Sequence, residues 1–249
     1  MQTHVAQITS AITQPAATSP HLVPELISRG DSIYFGHVFA RRDTAQEPVF
    51  VYERRVTEHG PDVASTHMTR EPSGAIVLAE TALHAPDYAL REYTLHADQL
   101  GQSGTIRVGA NRLYFERRRS SGVRKREERL SDPVVVGPTL VGYIARNLER
   151  LRAKQVLRVR MALLDRLRTF AFELHALDAG ERTGQIRVQM RPVSFLIALA
   201  VAPVDFYFEN SSRKLVRLEG PVPPKRRTGR GWKNFEARVE YQYVADTYR

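Results

Sequence analysis

Between Asp31 and Leu130 apolar and polar residues alternate with period 2, and turn-forming residues interrupt the alternation at short intervals. In "SIYFGHVF" Ile33 and Phe35 hold one parity and Tyr34 the other. The stretches "PVFVYERRV", "DVASTHMTRE", "AIVLAETALH", "YALREYTLH", "GTIRVG" and "RLYFERRR" follow. Between them stand "HGPD", "EPSG", "APD", "LGQSG" and "GAN", where Gly or Asn supplies positive φ and Pro or Asp fixes the bend. The spacing predicts seven short strands in an antiparallel meander, as a sandwich, a barrel or a strongly curved sheet.

The period then changes. "DPVVVGPTLVGYIARNLERLRAKQ" places Pro138 where a first helical turn tolerates it, and Leu140, Ile144, Leu148 and Leu151 follow at helical spacing. Arg146, Glu149, Arg150 and Arg152 take the other side, so one amphipathic helix is predicted from about Thr139 to Lys154. Strands resume with "VLRVRMALLD", "RTFAFELHALD" and "GQIRVQMRP"; Ile186, Val188 and Met190 alternate with Arg187, Gln189 and Arg191, giving one buried and one wet face. "SFLIALAVA", Ser194 to Ala202, reads as a short buried helix capped by Ser194 and ended by Pro203, with a central strand as the alternative. "VDFYF" and "KLVRLE" form a hairpin, and "NFEARVEYQYV" is expected to close the sheet as an edge strand. The fold class is therefore mainly β (α+β): a curved antiparallel meander or half-barrel, with one amphipathic helix and a second short helix on one face. Residues 1–27 are expected to be a mobile tail and residues 28–249 a single β-rich domain.

Composition narrows the classes. The chain has 249 residues and no cysteine, which excludes disulfides and thiolate chemistry. Its N-terminus has neither a basic leader nor an apolar run of signal-peptide length, and its longest apolar run, Phe195 to Val204, is half of the roughly 20 residues that span a bilayer. A cytoplasmic location, with peripheral attachment to a membrane as a variant of it, is the expectation.

The net charge of +10 asks for an acidic partner, and it is concentrated. Residues 112–130 carry eight basic side chains against three acidic ones, and "PPKRRTGRGWK" adds five with no acid. Arg117, Arg118, Arg119, Arg226, Arg227 and Trp232 form a candidate basic rim, able to grip phosphates, to meet anionic headgroups or to stack a base. Arg-rich strands that solvate one face and discourage edge pairing explain the same residues without a partner.

A long meander interrupted by one amphipathic helix, then further strands and a C-terminal hairpin, resembles the bacterial half-barrel proteins of the lipoprotein-carrier (LolA/LolB-like) type. The plan is also similar to an uncharacterised bacterial family in which a "GPTL" stretch, here Gly137 to Leu140, opens the helix and an "RLEGPVPP"-like strand, here Arg217 to Pro224, closes the sheet. The resemblance implies a cavity and no catalytic motif.

The first functional expectation is a binding protein that holds a hydrophobic or amphipathic small molecule or lipid, anionic ones included, in the cleft of the curved sheet. Tyr143, Phe195, Phe206 and Phe208 are the residues expected nearest that cleft. A cofactor-free enzyme using the same cleft is the alternative, with Asp205, Glu173 and His175 as its candidate acids and bases. Binding of nucleic acid or an anionic surface through the Arg-rich strands is the third reading. His59, His67, His84 and His96 lack the close spacing of a metal set and read as surface or turn residues, so neither metal nor cofactor is expected.

Overall fold

In the computed structural model the described residues are 31–41, 47–179, 184–199, 201–229 and 231–244; the expected tail at 1–27 lies outside them. The alternation from Asp31 onward becomes eight consecutive strands: β1 (Asp31–Ala40), β2 (Phe50–His59), β3 (Asp62–Arg70), β4 (Ile76–His84), β5 (Leu90–Ala97), β6 (Gln102–Gly109), β7 (Arg112–Arg119) and β8 (Gly122–Arg129). One more strand forms than the pattern predicts. β8 is "GVRKREER", which has no apolar parity to read, and its residues are exposed almost throughout. It lies at the edge of the sheet, where charge costs nothing and blocks pairing with another chain.

After β9 (Val134–Val135) come two helices, α1 (Gly137–Arg146) and α2 (Leu148–Arg152), where one was expected. The break is at Asn147, whose side-chain amide donates to Tyr143 O at 2.9 Å and competes with the helical ladder. The predicted apolar stripe is nonetheless the buried one, since Leu140, Ile144, Leu148 and Leu151 are all in the core. At the start of α1 the Thr139 hydroxyl accepts from Val136 N at 3.0 Å, satisfying a donor that the helix itself cannot.

The remaining elements are β10 (Leu157–Leu163), β11 (Arg168–Leu177), β12 (Gln185–Pro192), a single turn α3 (Phe195–Ala198), β13 (Val204–Glu209), β14 (Leu215–Pro221), a hairpin of β15 (Arg226–Thr228) and β16 (Gly231–Lys233), and β17 (Glu236–Tyr243). Fifteen strands make one sheet in the order β8-β7-β6-β5-β4-β3-β2-β1-β17-β14-β13-β12-β11-β10-β9. β17 is thus not the edge strand expected. It pairs antiparallel with β1 on one side and β14 on the other, and so joins the N-terminal meander to the C-terminal one.

The sheet curls until its two ends meet without closing the ladder. Glu128 of β8 reaches across the gap, accepting from Thr169 N at 2.8 Å and from Arg160 Nη2 at 3.0 Å. Inside the curl, α1 and α2 pack with Phe172, Leu174, Val188, Phe206 and Phe208. A second apolar group, with Tyr93, Ile106 and Phe115, lies under β9, and a third, with Val38, Phe50, Val77 and Val239, fills the end where β1 stops and β2 begins. The architecture is a barrel-like sheet with helices plugging its interior.

Candidate functional site

Within the apolar interior one zone is polar, and it sits where the register puts it. Arg54 of β2 pairs across to His67 of β3, His67 to Glu80 of β4, and Glu80 to Leu95 of β5, so these residues share one inward-facing row. Arg54, His67 and Glu80 are 6%, 3% and 6% exposed, an unusual trio to bury together.

The guanidinium of Arg54 is held by neutral acceptors. Its Nη1 donates to Pro138 O at the start of α1 at 2.7 Å and to His67 Nε2 at 2.8 Å, and its Nη2 donates to Ser65 Oγ at 3.0 Å. Because arginine has no acceptor, His67 Nε2 must be unprotonated, which fixes the neutral Nδ1–H tautomer. Burial first, and the Arg54 charge second, hold the His67 pKa well below its ordinary value. Ser65 accepts from Arg54 and is left to donate to His84 Nε2 at 2.9 Å, while His84 Nδ1 donates to Ala85 O at 2.7 Å. Every proton in this chain therefore has one direction. Among the described residues no carboxylate stands within ion-pair distance of Arg54, although a buried guanidinium remains charged.

Glu80 is the complementary oddity. The Tyr93 hydroxyl donates to its Oε1 at 2.7 Å, and burial raises its pKa to about 6 against the opposing effect of that bond. Its carboxylate lies against Gly137, the first residue of α1.

Tyrosines complete the wall. Tyr34 is in ring contact with Tyr52, Tyr241 and Tyr243 at centroid distances of 6.2, 5.1 and 5.1 Å, and Tyr52 packs edge-on to His67 at 4.6 Å. Burial pushes the pKa values of Tyr34, Tyr52 and Tyr241 up, so all three are neutral phenols. The buried Tyr34 hydroxyl stands beside the Arg54 guanidinium and the Tyr52 hydroxyl, but among the described residues it makes no hydrogen bond of good geometry. Tyr52 and Tyr241, with Val141 and Ala145 of α1, keep some accessible surface although all belong to the interior packing.

Close contact fixes α1 against this zone. A Cβ on Gly142 would lie 2.1 Å from the Tyr88 ring, and that ring stacks on His84 at 5.0 Å. Gly142→Ala should gain about 1 kcal/mol in helix propensity and lose about 2 kcal/mol to the clash, a net destabilisation near 1 kcal/mol. Denaturant melts of the single variant and of Gly142→Ala with Tyr88→Leu check this, the double variant being expected to recover the loss.

The residues expected at a cleft fall elsewhere. Phe206 and Phe208 are fully packed core at 2% and 0% exposure, and Tyr143 is half-buried beside them. Phe195 is 74% exposed: α3 is a loop turn beyond the last β12–β13 pair, so the barrel wall passes it by and it is neither a buried helix nor a strand. Asp205 faces outward from β13, where Arg187 and Gln189 donate to it at 2.9 to 3.1 Å. Glu173 and His175 pair with each other at 3.2 Å on the outward face of β11. None of the three acids and bases expected in a cleft is inside. The titratable groups that are inside include His67 and His84, which their spacing assigned to the surface or to turns; of the four histidines weighed there, His59 is exposed as expected.

The basic residues gather at one end of the barrel. Arg117 donates to Asp165 O, Arg118 pairs with Glu116, and Arg119 grips Gln102 Oε1. Gln99, in the same turn as Gln102, clamps the backbone of Lys225 through two bonds of 2.8 and 3.0 Å, which brings the β15–β16 hairpin with Arg226, Arg227 and Trp232 to that end. Phe50, Val77 and Phe235 pack together at this end, and Arg226, Arg227 and Trp232 line a shallow groove beside them. Among the described residues no group of three or more His, Asp or Glu is placed to hold a metal ion, and no helix is long and apolar enough to cross a membrane.

No protein-family model matches the chain, and neither does any curated protein. Among solved structures it is similar to a β-barrel-like protein of a domain of unknown function, DUF1849, from Brucella abortus, at 6% identity and a TM-score of 0.44 over 86% of this chain and 98% of that one.

Proposed function

We propose that this chain is a binding protein that takes a small amphipathic anion into its interior, between α1 and the tyrosine wall. One observation carries the proposal: the Arg54 guanidinium is buried with three neutral acceptors and no carboxylate within ion-pair distance among the described residues. A buried cation of this kind is expensive, and an anionic head beside it would offset the expense. The Tyr34 hydroxyl, beside the same guanidinium and without a well-formed hydrogen bond, offers a donor, and Val141, Ala145 and Tyr241 offer apolar surface to a short tail. This is the ligand class that the lipoprotein-carrier resemblance suggests, with its head group placed by Arg54 and its tail away from Phe206 and Phe208.

Titration with a dansylated undecanoate, whose emission rises on leaving water, tests the proposal. Saturable one-to-one binding, competed by an unlabelled medium-chain carboxylate and not by the corresponding alcohol, is the expected result. Binding that the alcohol competes equally well would remove the role given to Arg54.

A second reading, catalysis without a cofactor in the same interior zone, is favoured by Glu80, whose pKa near 6 suits an acid that gives up a proton near neutrality. It requires slow chemical change of a bound carboxylate, visible by mass spectrometry of the ligand recovered after incubation.

A further inference from the structure

The end of the barrel that carries the cations also carries the most exposed apolar side chains in the described chain. Phe195, Leu196 and Leu199 are 74%, 78% and 71% exposed on α3 and the residue after it. No charged residue occurs from Val193 to Val204. Trp232, 38% exposed on β16, stands with the Arg227 guanidinium 5.8 Å from its ring. From Val222 to Phe235 the sequence has five basic residues and no acidic one. Both segments leave the sheet at the same end: Gly220 of β14 packs on Pro203 and Val204 at the start of β13, and β17 resumes opposite Pro221. Between the hairpin and the β3–β4 turn lies a shallow groove of about 330 Å³, where Arg226, Arg227 and Trp232 face Val49, Phe50, Pro72 and one acid, Glu71.

We propose that this end docks on an anionic lipid surface. α3 would insert Phe195, Leu196 and Leu199 among the acyl chains, Trp232 would sit at headgroup depth, and Arg226, Arg227 and Lys233 would meet lipid phosphates. The chemistry selects this partner in two ways. The apolar turn and the cationic hairpin leave neighbouring strands at one end of the barrel, where a soft surface can meet both. An amphipathic aromatic flanked by cations is the composition that settles at a membrane interface. Docking is independent of the interior site: it uses none of Arg54, Tyr34 or Glu80.

Co-sedimentation with vesicles of equal parts phosphatidylglycerol and phosphatidylcholine, against vesicles of phosphatidylcholine alone, tests it. The full chain should bind the anionic vesicles, lose most of that binding at high salt, and bind the neutral ones weakly. Removing two cations, each worth about fivefold near such a surface, should make Arg226→Gln with Arg227→Gln about 25-fold weaker. Phe195→Asp with Leu196→Asp should be at least about tenfold weaker, with an unchanged circular dichroism spectrum because both side chains are solvent-exposed. Equal binding to both vesicle types would overturn the proposal, as would wild-type binding by both variants. Failure to bind vesicles, with self-association that the Phe195/Leu196 variant abolishes, would overturn it in favour of contact between copies.

Discussion

Arg54→Met should weaken binding of the dansylated carboxylate by about a hundredfold. A charge-assisted pair in a dry site contributes about 1.5 to 3 kcal/mol, and methionine offers a similar unbranched stem without the charge. The fold should survive, because replacing a buried charge by an apolar side chain of similar volume is often close to neutral. Some loss is expected all the same, since Pro138 O and His67 Nε2 lose their donor. Two further variants separate that loss from ligand recognition. Arg54→Lys keeps the charge but not the three-way geometry, and should weaken binding about tenfold. Tyr34→Phe removes a buried hydroxyl that makes no well-formed hydrogen bond among the described residues, so it should change the stability of the ligand-free protein little while still weakening the ligand. Unchanged affinity in all three, measured by the same titration, would dismiss the interior head-group site.

The second large effect concerns Glu80 and pH. Its folded pKa near 6 lies above the ordinary carboxyl value of 4.5, so the unfolded chain ionises first as pH rises. Between about pH 4.5 and 6 this group alone withdraws about 2 kcal/mol of stability, and the loss persists above that range. Glu80→Gln keeps an acceptor for the Tyr93 hydroxyl and cannot ionise. It should be about 2 kcal/mol more stable than the wild type at pH 7.5, a rise of roughly 4 to 8 °C in Tm, and equal to it at pH 4. His67 and His84 act in the opposite sense. Burial lowers both pKa values, so their contribution is lost as pH falls below their ordinary 6.5. The two trends offset each other in the wild type, and Glu80→Gln should expose the histidine slope alone. Thermal melts across this range decide the matter. A Glu80→Gln variant less stable at pH 7.5 would mean that the carboxylate is ionised and paired in the folded protein. A carboxyl kept where it destabilises is what a functional site looks like when it is built inside a core.

Much of this molecule was legible as pattern. Strict alternation located seven of the first eight strands, and the Leu140, Ile144, Leu148, Leu151 spacing located the buried stripe of the interior helices. What failed, failed for lack of periodic contrast. β8 has no apolar parity, so nothing marked it as a strand. "SFLIALAVA" is apolar enough for a core, but it lies beyond the last rung of the β12–β13 ladder, and hydropathy carries no information about where pairing stops. β17 looks like a closing strand because its alternation is complete, yet edge and centre differ in their partners and not in their residues. The aromatic residues of β13, read as nearest a cleft, are packing around α1 and α2 for a related reason: their alternation marks an inward face and not what fills it. The usable signal was in β3. There Ser65, His67 and Thr69 share one parity and Ala64, Thr66 and Met68 the other, so neither face of a mid-sheet strand is wholly apolar. A central strand that brings polar side chains inward predicts a polar interior, and Arg54 in β2 and Glu80 in β4 are its neighbours in the register.

The interior account is tested most directly by a crystal of the protein grown with an ω-bromo medium-chain carboxylate, with the bromine located by its anomalous signal. The carboxylate should lie within hydrogen-bond distance of the Arg54 guanidinium and the Tyr34 hydroxyl, with the bromine beside α1 near Val141 or Ala145. Bromine found only on the outer surface, or a head group directed away from Arg54, would contradict it.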